Sequence, residues 1–492
     1  MKDKKLFHNL DLMFFPETIA IIGASDVPGK WGFLLTSNIL GGGYKGKVLP
    51  VNPNKKSIMG LNVYSSLQDI PGDVDMAVIT IPAKGVPDIL KDCIAKGIRA
   101  AIVITSGFSE IGDQGAKLES HISEIASQGG LTFIGPNTMG IVSTHNSLVA
   151  VGAPLSPIKG GLGIISQSGN LGTQIIQWAT SKGIGVSIYA GTGNEALLKT
   201  NDILSYFGYR GEVRAIALYI EGIDDGRVFM ESVREITKVK PVVALKGGRT
   251  ITGSKAAKSH TGSMAGSFEV YSAMFKQTGV IQVDSPSELL NVAGALSVLP
   301  IPKSNRVGIM SLGGGWGVVT ADECESAGLE IPSLSDDIIR DLDTRLPDFW
   351  NRGNPIDLVG EPDPDLHIHA LNLLARWDRV DSIIALGIIG QISFYRATLA
   401  IQERISDKRF RQEAIESVIE ARSDIERRFL TEMARLQKET SKPIIAVSLA
   451  EGDAEFVTNI DGYGSVITLS TPEEAVNIIK YMVKYQRYLD NL

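Results

Sequence analysis

The sequence predicts an α/β protein built from three doubly wound parallel-sheet domains, and three observations carry that expectation. Short β-branched apolar runs alternate with helical stretches, the rhythm of buried parallel strands linked by covering helices. That rhythm restarts near residues 151 and 301, each time on a strand that runs into a glycine-rich turn. The length of 492 residues exceeds what one core organises and suits about three domains.

Composition sets outer bounds. Hydrophobic residues make up 43%, charged residues 21%, and there are 52 glycines, which describes a soluble, glycine-rich chain. A net charge of −7 gives no electrostatic case for nucleic acid or an anionic membrane. Cys93 and Cys324 are too few and too distant for a disulfide framework or a metal cluster, so no metal site is expected and a cytoplasmic location fits. No apolar stretch reaches the ~18 residues of a membrane span. The basic start is interrupted by Asn9, Asp11 and Pro16, which breaks up any signal-peptide core.

In the first block, residues 1–150, strands are expected at 18–22, 47–51, 76–81, 100–105 and 131–134, with helices over 85–96 and 115–127. The first strand opens into Gly23-Ala24-Ser25-Asp26-Val27-Pro28-Gly29-Lys30-Trp31-Gly32, where a phosphate can sit on helix N-terminal amides. The spacing is not a clean G-x-G-x-x-G. The second strand ends in Val51-Asn52-Pro53-Asn54-Lys55-Lys56, where a dinucleotide enzyme would carry an acid for the ribose. Lysines there favour a phosphorylated ligand over NAD, against the plainer reading of surface lysines after a turn.

The second block, 151–300, has strands at 161–165, 186–190, 215–220 and 241–245. Ser166-Gln167-Ser168-Gly169-Asn170-Leu171-Gly172 is a turn opening a helix, and Ser168 and Gly169 can present donors to an anion. Glu221 directly follows a strand, where parallel sheets display functional groups. The same block contains Lys258-Ser259-His260-Thr261-Gly262-Ser263-Met264-Ala265-Gly266. Its small residues allow close approach, and a neutral imidazole can take up a phosphoryl group. A carboxylate nearby would orient that ring. The alternatives are a solvated loop histidine and a solvated strand-end acid.

The third block, 301–492, opens with a strand at 306–310 and Ser311-Leu312-Gly313-Gly314-Gly315-Trp316-Gly317, a second glycine-rich helix start suited to an anion. Strands follow at 383–388 and 444–447. Between them, about residues 400–440 form a charged insertion with apolar residues at Ile415, Val418, Ile419, Ile425, Phe429, Met433 and Leu436, the spacing of amphipathic helices.

Taken in order, Ile21-Ile22-Gly23-Ala24-Ser25, Val51-Asn52-Pro53, Ile104-Thr105-Ser106-Gly107-Phe108, Ile134-Gly135-Pro136-Asn137, Ser166-Gln167-Ser168-Gly169, Ser259-His260-Thr261-Gly262, Gly313-Gly314-Gly315-Trp316-Gly317 and Asn354-Pro355-Ile356-Asp357-Leu358 run the length of the chain. In these the sequence resembles the α subunits of ADP-forming acyl-CoA (acetyl-CoA) synthetases, relatives of succinyl-CoA synthetase. The resemblance implies a Rossmann-like CoA-binding domain followed by two flavodoxin-like ligase domains. It places Ser25, Lys30, Lys55, Ser106, Gly107 and Asn137 at coenzyme A. It makes His260 the phosphohistidine held by Glu221, and pairs the helix starts Ser168-Gly169-Asn170 and Gly314-Gly315-Trp316 as phosphate sites facing each other across it.

Two departures bear on the acid. Thr138 and Thr173 stand where succinate enzymes carry a Cys and a Tyr, which argues against assuming succinate. The three blocks leave no room for an ATP-grasp domain, so the resemblance implies a β subunit that supplies it with ATP/ADP and Mg²⁺, in an α2β2 assembly acting on a small carboxylic acid. A non-catalytic CoA-binding regulatory protein on the same fold is the other reading.

Overall fold

The computed structural model describes residues 2–253, 255, 267–402, 412–448, 450 and 455–492. His260 and the segment around it lie outside these residues, as do 403–411 of the charged insertion. The chain forms two compact units, Met1–Ser297 and Val298–Leu492.

The first unit holds two large sheets. Strands β1 (Thr18–Ile22), β2 (Lys47–Val51), β5 (Met76–Ile79), β6 (Ala100–Val103) and β7 (Thr132–Ile134) pair in the order β2-β1-β5-β6-β7, all parallel. The short hairpin β3 (Ser57–Ile58) and β4 (Leu61–Asn62) stands apart. Nearly every strand residue is buried because helices cover both faces, which is why these runs are continuously apolar and do not alternate.

The second sheet has a parallel body of β10 (Lys159–Ser166), β11 (Val186–Gly191), β12 (Ala215–Ile220), β13 (Val242–Lys246) and β14 (Ile281–Val283), ordered β14-β13-β12-β10-β11. An antiparallel hairpin, β8 (Gly140–Ser143) and β9 (Leu148–Val151), is added beyond β11. Residues 140–151 therefore belong to this sheet.

In the Val298–Leu492 unit the order is β16-β15-β17-β18-β20-β19, from β15 (Val307–Ser311), β16 (Ile356–Asp357), β17 (Ser382–Leu386), β18 (Ile444–Val447), β19 (Val457–Ile460) and β20 (Gly464–Leu469). Only the β19 edge is antiparallel. Within each sheet the parallel strands follow one spatial order, 2-1-3-4-5 by sequence. That order puts a switch point between the first and third strands, where the covering helices part and ligands bind at the carboxyl ends.

The N-terminal helix Lys2–Phe14 ties the first two sheets into one unit. Leu10, Met13 and Phe14 are fully buried in a core shared by both sheets. Phe14 stacks on Tyr206 at 5.5 Å and meets Phe207 edge-on at 5.8 Å. Asp11 accepts from Tyr206 Oη (2.7 Å) and Arg210 Nη1 (2.8 Å). In the charged insertion, the described side chains of the helix Gln412–Thr440 are buried in its C-terminal half, at Phe429, Met433, Ala434, Leu436 and Gln437. Val418 is exposed, so the apolar stripe expected there covers the sheet only from Phe429 onward. Among the described residues, no helix is long and apolar enough to cross a membrane.

Candidate functional site

The switch points of both sheets in the first unit open onto one cleft of about 560 Å³. From the first sheet come Thr80, Ile81 and Pro82 after β5, Ile104, Thr105 and Ser106 after β6, and Asn137 after β7. From the second come Gln167, Ser168, Gly169 and Asn170 after β10, and Gly222 and Asp224 after β12. Of the sequence-predicted residues, Ser106, Asn137, Ser168, Gly169 and Asn170 share this cleft.

Ser168 is extended (φ −93°, ψ 115°) and caps the helix Gly169–Ser181, accepting from Leu171 N at 3.5 Å. Beneath it the buried hydroxyl of Ser166 donates to Ser168 O at 2.7 Å, fixing the turn from strand to helix. The first helical amides, of Gly169 and Asn170, have no intrahelical acceptor and stand at the positive end of the helix dipole. Among the described residues no Lys, Arg or His side chain lines the cleft. An anion there would be held by amides, hydroxyls and the dipole, with Glu195 and Asp224 also in the lining.

Glu221 follows β12 on the other side of the switch point, 7% exposed. Its carboxylate accepts from Tyr219 Oη at 3.3 Å. Burial, with Glu221 alongside, pushes that phenol well above its ordinary range, so it remains a donor. Gln167, which sequence reasoning left without a role, works hard here. Its Oε1 accepts from the N–H of Glu221 (2.5 Å) and of Gly222 (3.0 Å). Its Nε2 donates to Gly222 O (2.8 Å) and Glu195 Oε1 (2.9 Å). Glu195, left-handed at φ 56°, also accepts from the hydroxyls of Thr192 (2.8 Å) and Thr200 (2.5 Å).

A second missed network braces the Ser106 side. Asn194 Nδ2 lies within bonding reach of Glu110 Oε2 (2.6 Å), Glu119 Oε2 (2.8 Å) and Ser109 Oγ (3.1 Å), and Asn194 Oδ1 accepts from Asn137 Nδ2 at 3.2 Å. Burial alone would raise the Glu110 carboxyl, but donors from Gly107, Asn194 and Phe108 outweigh it and hold it below the usual range. Gly107, at φ +104°, gives its N–H to Glu110 Oε1 at 2.5 Å and does not line the cleft.

The remaining predicted residues of the first unit do not line the cleft. Ser25 is buried and its Oγ accepts from Val27 N at 3.1 Å, closing the turn after β1. Lys30 is the exposed cap residue of the helix Trp31–Gly41, and Trp31 itself lines the cleft. Lys55 pairs with Asp26 at 3.1 Å across the turn, and that bond holds the Asp26 carboxyl below its ordinary range.

In the Val298–Leu492 unit, Gly314, Gly315 and Trp316 open the helix Gly314–Ser326 after β15, with Gly313 as a cap residue that supplies no side-chain bond. The Asp357 carboxylate lies beside Gly314, and its Oδ1 accepts from Val359 N at 2.8 Å.

Comparison with known proteins agrees with this geometry. Residues 17–144 match the family model of a CoA binding domain, and residues 159–296 that of a succinyl-CoA ligase like flavodoxin domain. The subunit alpha of acetate–CoA ligase [ADP-forming] II from Pyrococcus furiosus is 42% identical over 77% of this chain and 82% of that subunit. The acetate–CoA ligase [ADP-forming] of Methanocaldococcus jannaschii is 39% identical over 73% of this chain, which spans 50% of that longer protein. The solved structure of the Ca. Korarchaeum cryptofilum dinucleotide-forming acetyl-coenzyme A synthetase 1, in complex with phosphate and ADP, superposes with a TM-score of 0.82 at 29% identity over 98% of both chains. By these likenesses the chain belongs to the α-subunit family of the ADP-forming acetate–CoA ligases.

Proposed function

We propose that this chain is the α subunit of an ADP-forming acid–CoA ligase, interconverting acyl-CoA, ADP and phosphate with the free acid, CoA and ATP. The observation that carries the reading is the shared cleft: the Ser106 and Asn137 edge of the first sheet meets the Ser168–Gly169–Asn170 helix start of the second, with Gly222, the residue after Glu221, in the same lining. A thioester entering along the first edge meets a phosphate held on the second.

In this reading Ser25, Lys30 and Lys55 hold the phosphates of CoA, while Ser106, Gly107 and Asn137 receive the pantetheine end. A phosphate oxygen attacks the thioester carbonyl, the C–S bond breaks, and CoA leaves as a thiol after taking up a proton. The acyl phosphate that results is attacked at phosphorus by a ring nitrogen of His260, and its P–O bond breaks to release the carboxylate. Amides of Gly169 and Asn170 and the Ser168 hydroxyl stabilise the charge on the transferring group. Glu221 orients the imidazole and raises its basicity. Gly314, Gly315 and Trp316 form a second phosphoryl-binding helix start. An ATP-grasp β subunit would supply Mg²⁺ and ADP to receive the phosphoryl group, in an α2β2 assembly. The two free, buried cysteines suit a reducing cytoplasm.

The test uses the full chain with its β subunit, acetyl-CoA, ADP and labelled phosphate. Acid-labile, base-stable label should appear on the chain and pass to ATP, and His260→Asn should abolish both. CoA binding by calorimetry should weaken in Lys55→Ala, and the Lys55 contribution should fade as salt screens an exposed lysine–phosphate contact. Tight CoA binding with no label on any residue would instead support the CoA-binding regulatory protein.

A further inference from the structure

Lys246 closes β13 and is 1% exposed, an unusual place for an ammonium group. A buried cation is tolerated only where its donors are used. Lys246 Nζ donates to Glu221 O at 2.8 Å and to Gly247 O, and lies 4.8 Å from the centroid of the Tyr271 ring. The ring is itself anchored, since Tyr271 Oη accepts from Ile223 N at 2.9 Å.

The placement is specific to Glu221. Strands β12 and β13 pair with Ile220 beside Lys246, so the lysine reaches one residue past the end of the neighbouring strand. Gln167 takes the N–H of Glu221 from the other flank, so both backbone polar groups of this residue are held by side chains of adjoining strands. Gly247 completes the arrangement. A Cβ there would stand 2.7 Å from Tyr219 Oη and 3.6 Å from Glu221 Cγ, so its bareness lets the phenol and the acid lie alongside. Beyond Gly247 the sequence runs on to His260.

We infer that Lys246 is a positioning residue for phosphoryl transfer, its buried ammonium tying the carbonyl of Glu221 to that of Gly247, the first residue of the segment that leads to His260. The inference rests on the reading of Glu221 and His260 given above. Lys246 is not among the residues that line the cleft. It acts by fixing where the carboxylate stands relative to the origin of the histidine segment.

A double-mutant cycle tests this on the full chain alone, because acetyl-CoA and labelled orthophosphate together supply the acyl phosphate. Lys246→Met should slow acid-labile labelling about tenfold or more in the natural background and less than about twofold in Glu221→Gln, the non-additivity of residues acting as one unit. CoA affinity should stay unchanged. Equal fold losses in the two backgrounds, or no loss in either, overturn the inference. Lys246→Gln, which keeps a donor, replaces the methionine if that variant does not fold, and failure of both to fold makes Lys246 a general core residue and also overturns it. If Glu221→Gln and His260→Asn label like the natural chain, the proposed function has failed, a result separate from any of these.

Discussion

Residues 166–172 and 311–317 share one frame and differ in almost everything built on it. Each begins with a buried strand-final serine whose hydroxyl donates at 2.7 Å to the carbonyl two residues on, Ser168 in one case and Gly313 in the other. Each has a glycine at the first helical position and another three residues later. In the first turn a Cβ on Gly169 would meet Met139 Cγ at 2.4 Å, and one on Gly172 would meet Tyr189 Oη at 2.6 Å. In the second, a Cβ on Gly314 would meet Asp357 Oδ2 at 2.7 Å and one on Gly317 would meet Pro355 Cβ at 3.1 Å, while one on Gly313 or Gly315 would meet nothing within 4 Å. Gln167, with its amide fully engaged, is matched by Leu312, and the Ser168 cap by the bare Gly313. Trp316 and Val319 are 45% and 43% exposed. The frame therefore specifies a strand-to-helix turn and no more. In the first turn both helix glycines serve the protein's own packing; in the second Gly314 and Gly317 do the same, and only Gly313 and Gly315 leave the backbone open.

The sharpest way to break the comparison is to move a residue across it. Gln167→Leu leaves the N–H groups of Glu221 and Gly222 without their acceptor, and each buried unpaired group costs about 1–3 kcal/mol. Urea unfolding of the variant should show the largest loss of the set, and labelling of His260 should fall with it. Gly172→Ala overpacks against a fully buried tyrosine and should cost about 1–3 kcal/mol by the same measurement. Gly315→Ala should have the opposite sign, stabilising by up to about 1 kcal/mol, because helix propensity improves and no clash opposes it. Gly314→Val crowds the Asp357 carboxylate, which a Cβ there would approach to 2.7 Å: phosphoryl transfer to ADP should drop while calorimetry finds CoA binding unchanged. The smallest effects belong to the caps. Ser168→Ala should cost about 0.5 kcal/mol, the low end for a cap with a 3.5 Å bond, and Gly313→Ser should gain a few tenths, since its extended backbone already suits a capping hydroxyl.

The sheets were legible because parallel strands buried on both faces must be continuously apolar, as at 76–79 and 100–103. The hairpin Gly140–Ser143 and Leu148–Val151 was not, because two short strands at a sheet edge resemble the tail of one block running into the next. The helix Lys2–Phe14 escaped notice for another reason: its first four residues, Lys2-Asp3-Lys4-Lys5, are all charged, whereas Leu10, Met13 and Phe14 at its far end pack on partners far along the chain.

At the site, Ser168–Asn170 and Glu221 were legible as candidates because they follow strands, whereas Ser106 and Asn137 were reached only through the family resemblance. Gln167, Asn194 and Glu195 were not legible, since their roles lie in bonds spanning 28 to 85 positions. Lys246 did carry a signal. A lysine closing the run Val242–Lys246, before two glycines, is an odd end for a buried strand.

The N-terminal helix has a consequence for how the chain is made. Its polar residue Asn9 finds Thr132 comparatively early, bonding at 2.9 Å across 123 positions. The partners of its Phe14 and Asp11, Tyr206 and Arg210, emerge far later, 195 positions behind Asp11 in the case of Tyr206. At ~5–20 residues per second, Phe14 waits on the order of 10–40 s on the nascent chain before the ring it stacks on has been synthesised. During that interval the apolar stripe of Leu10, Met13 and Phe14 lacks its full cover, so a segment made well before its partners is among the last to be secured.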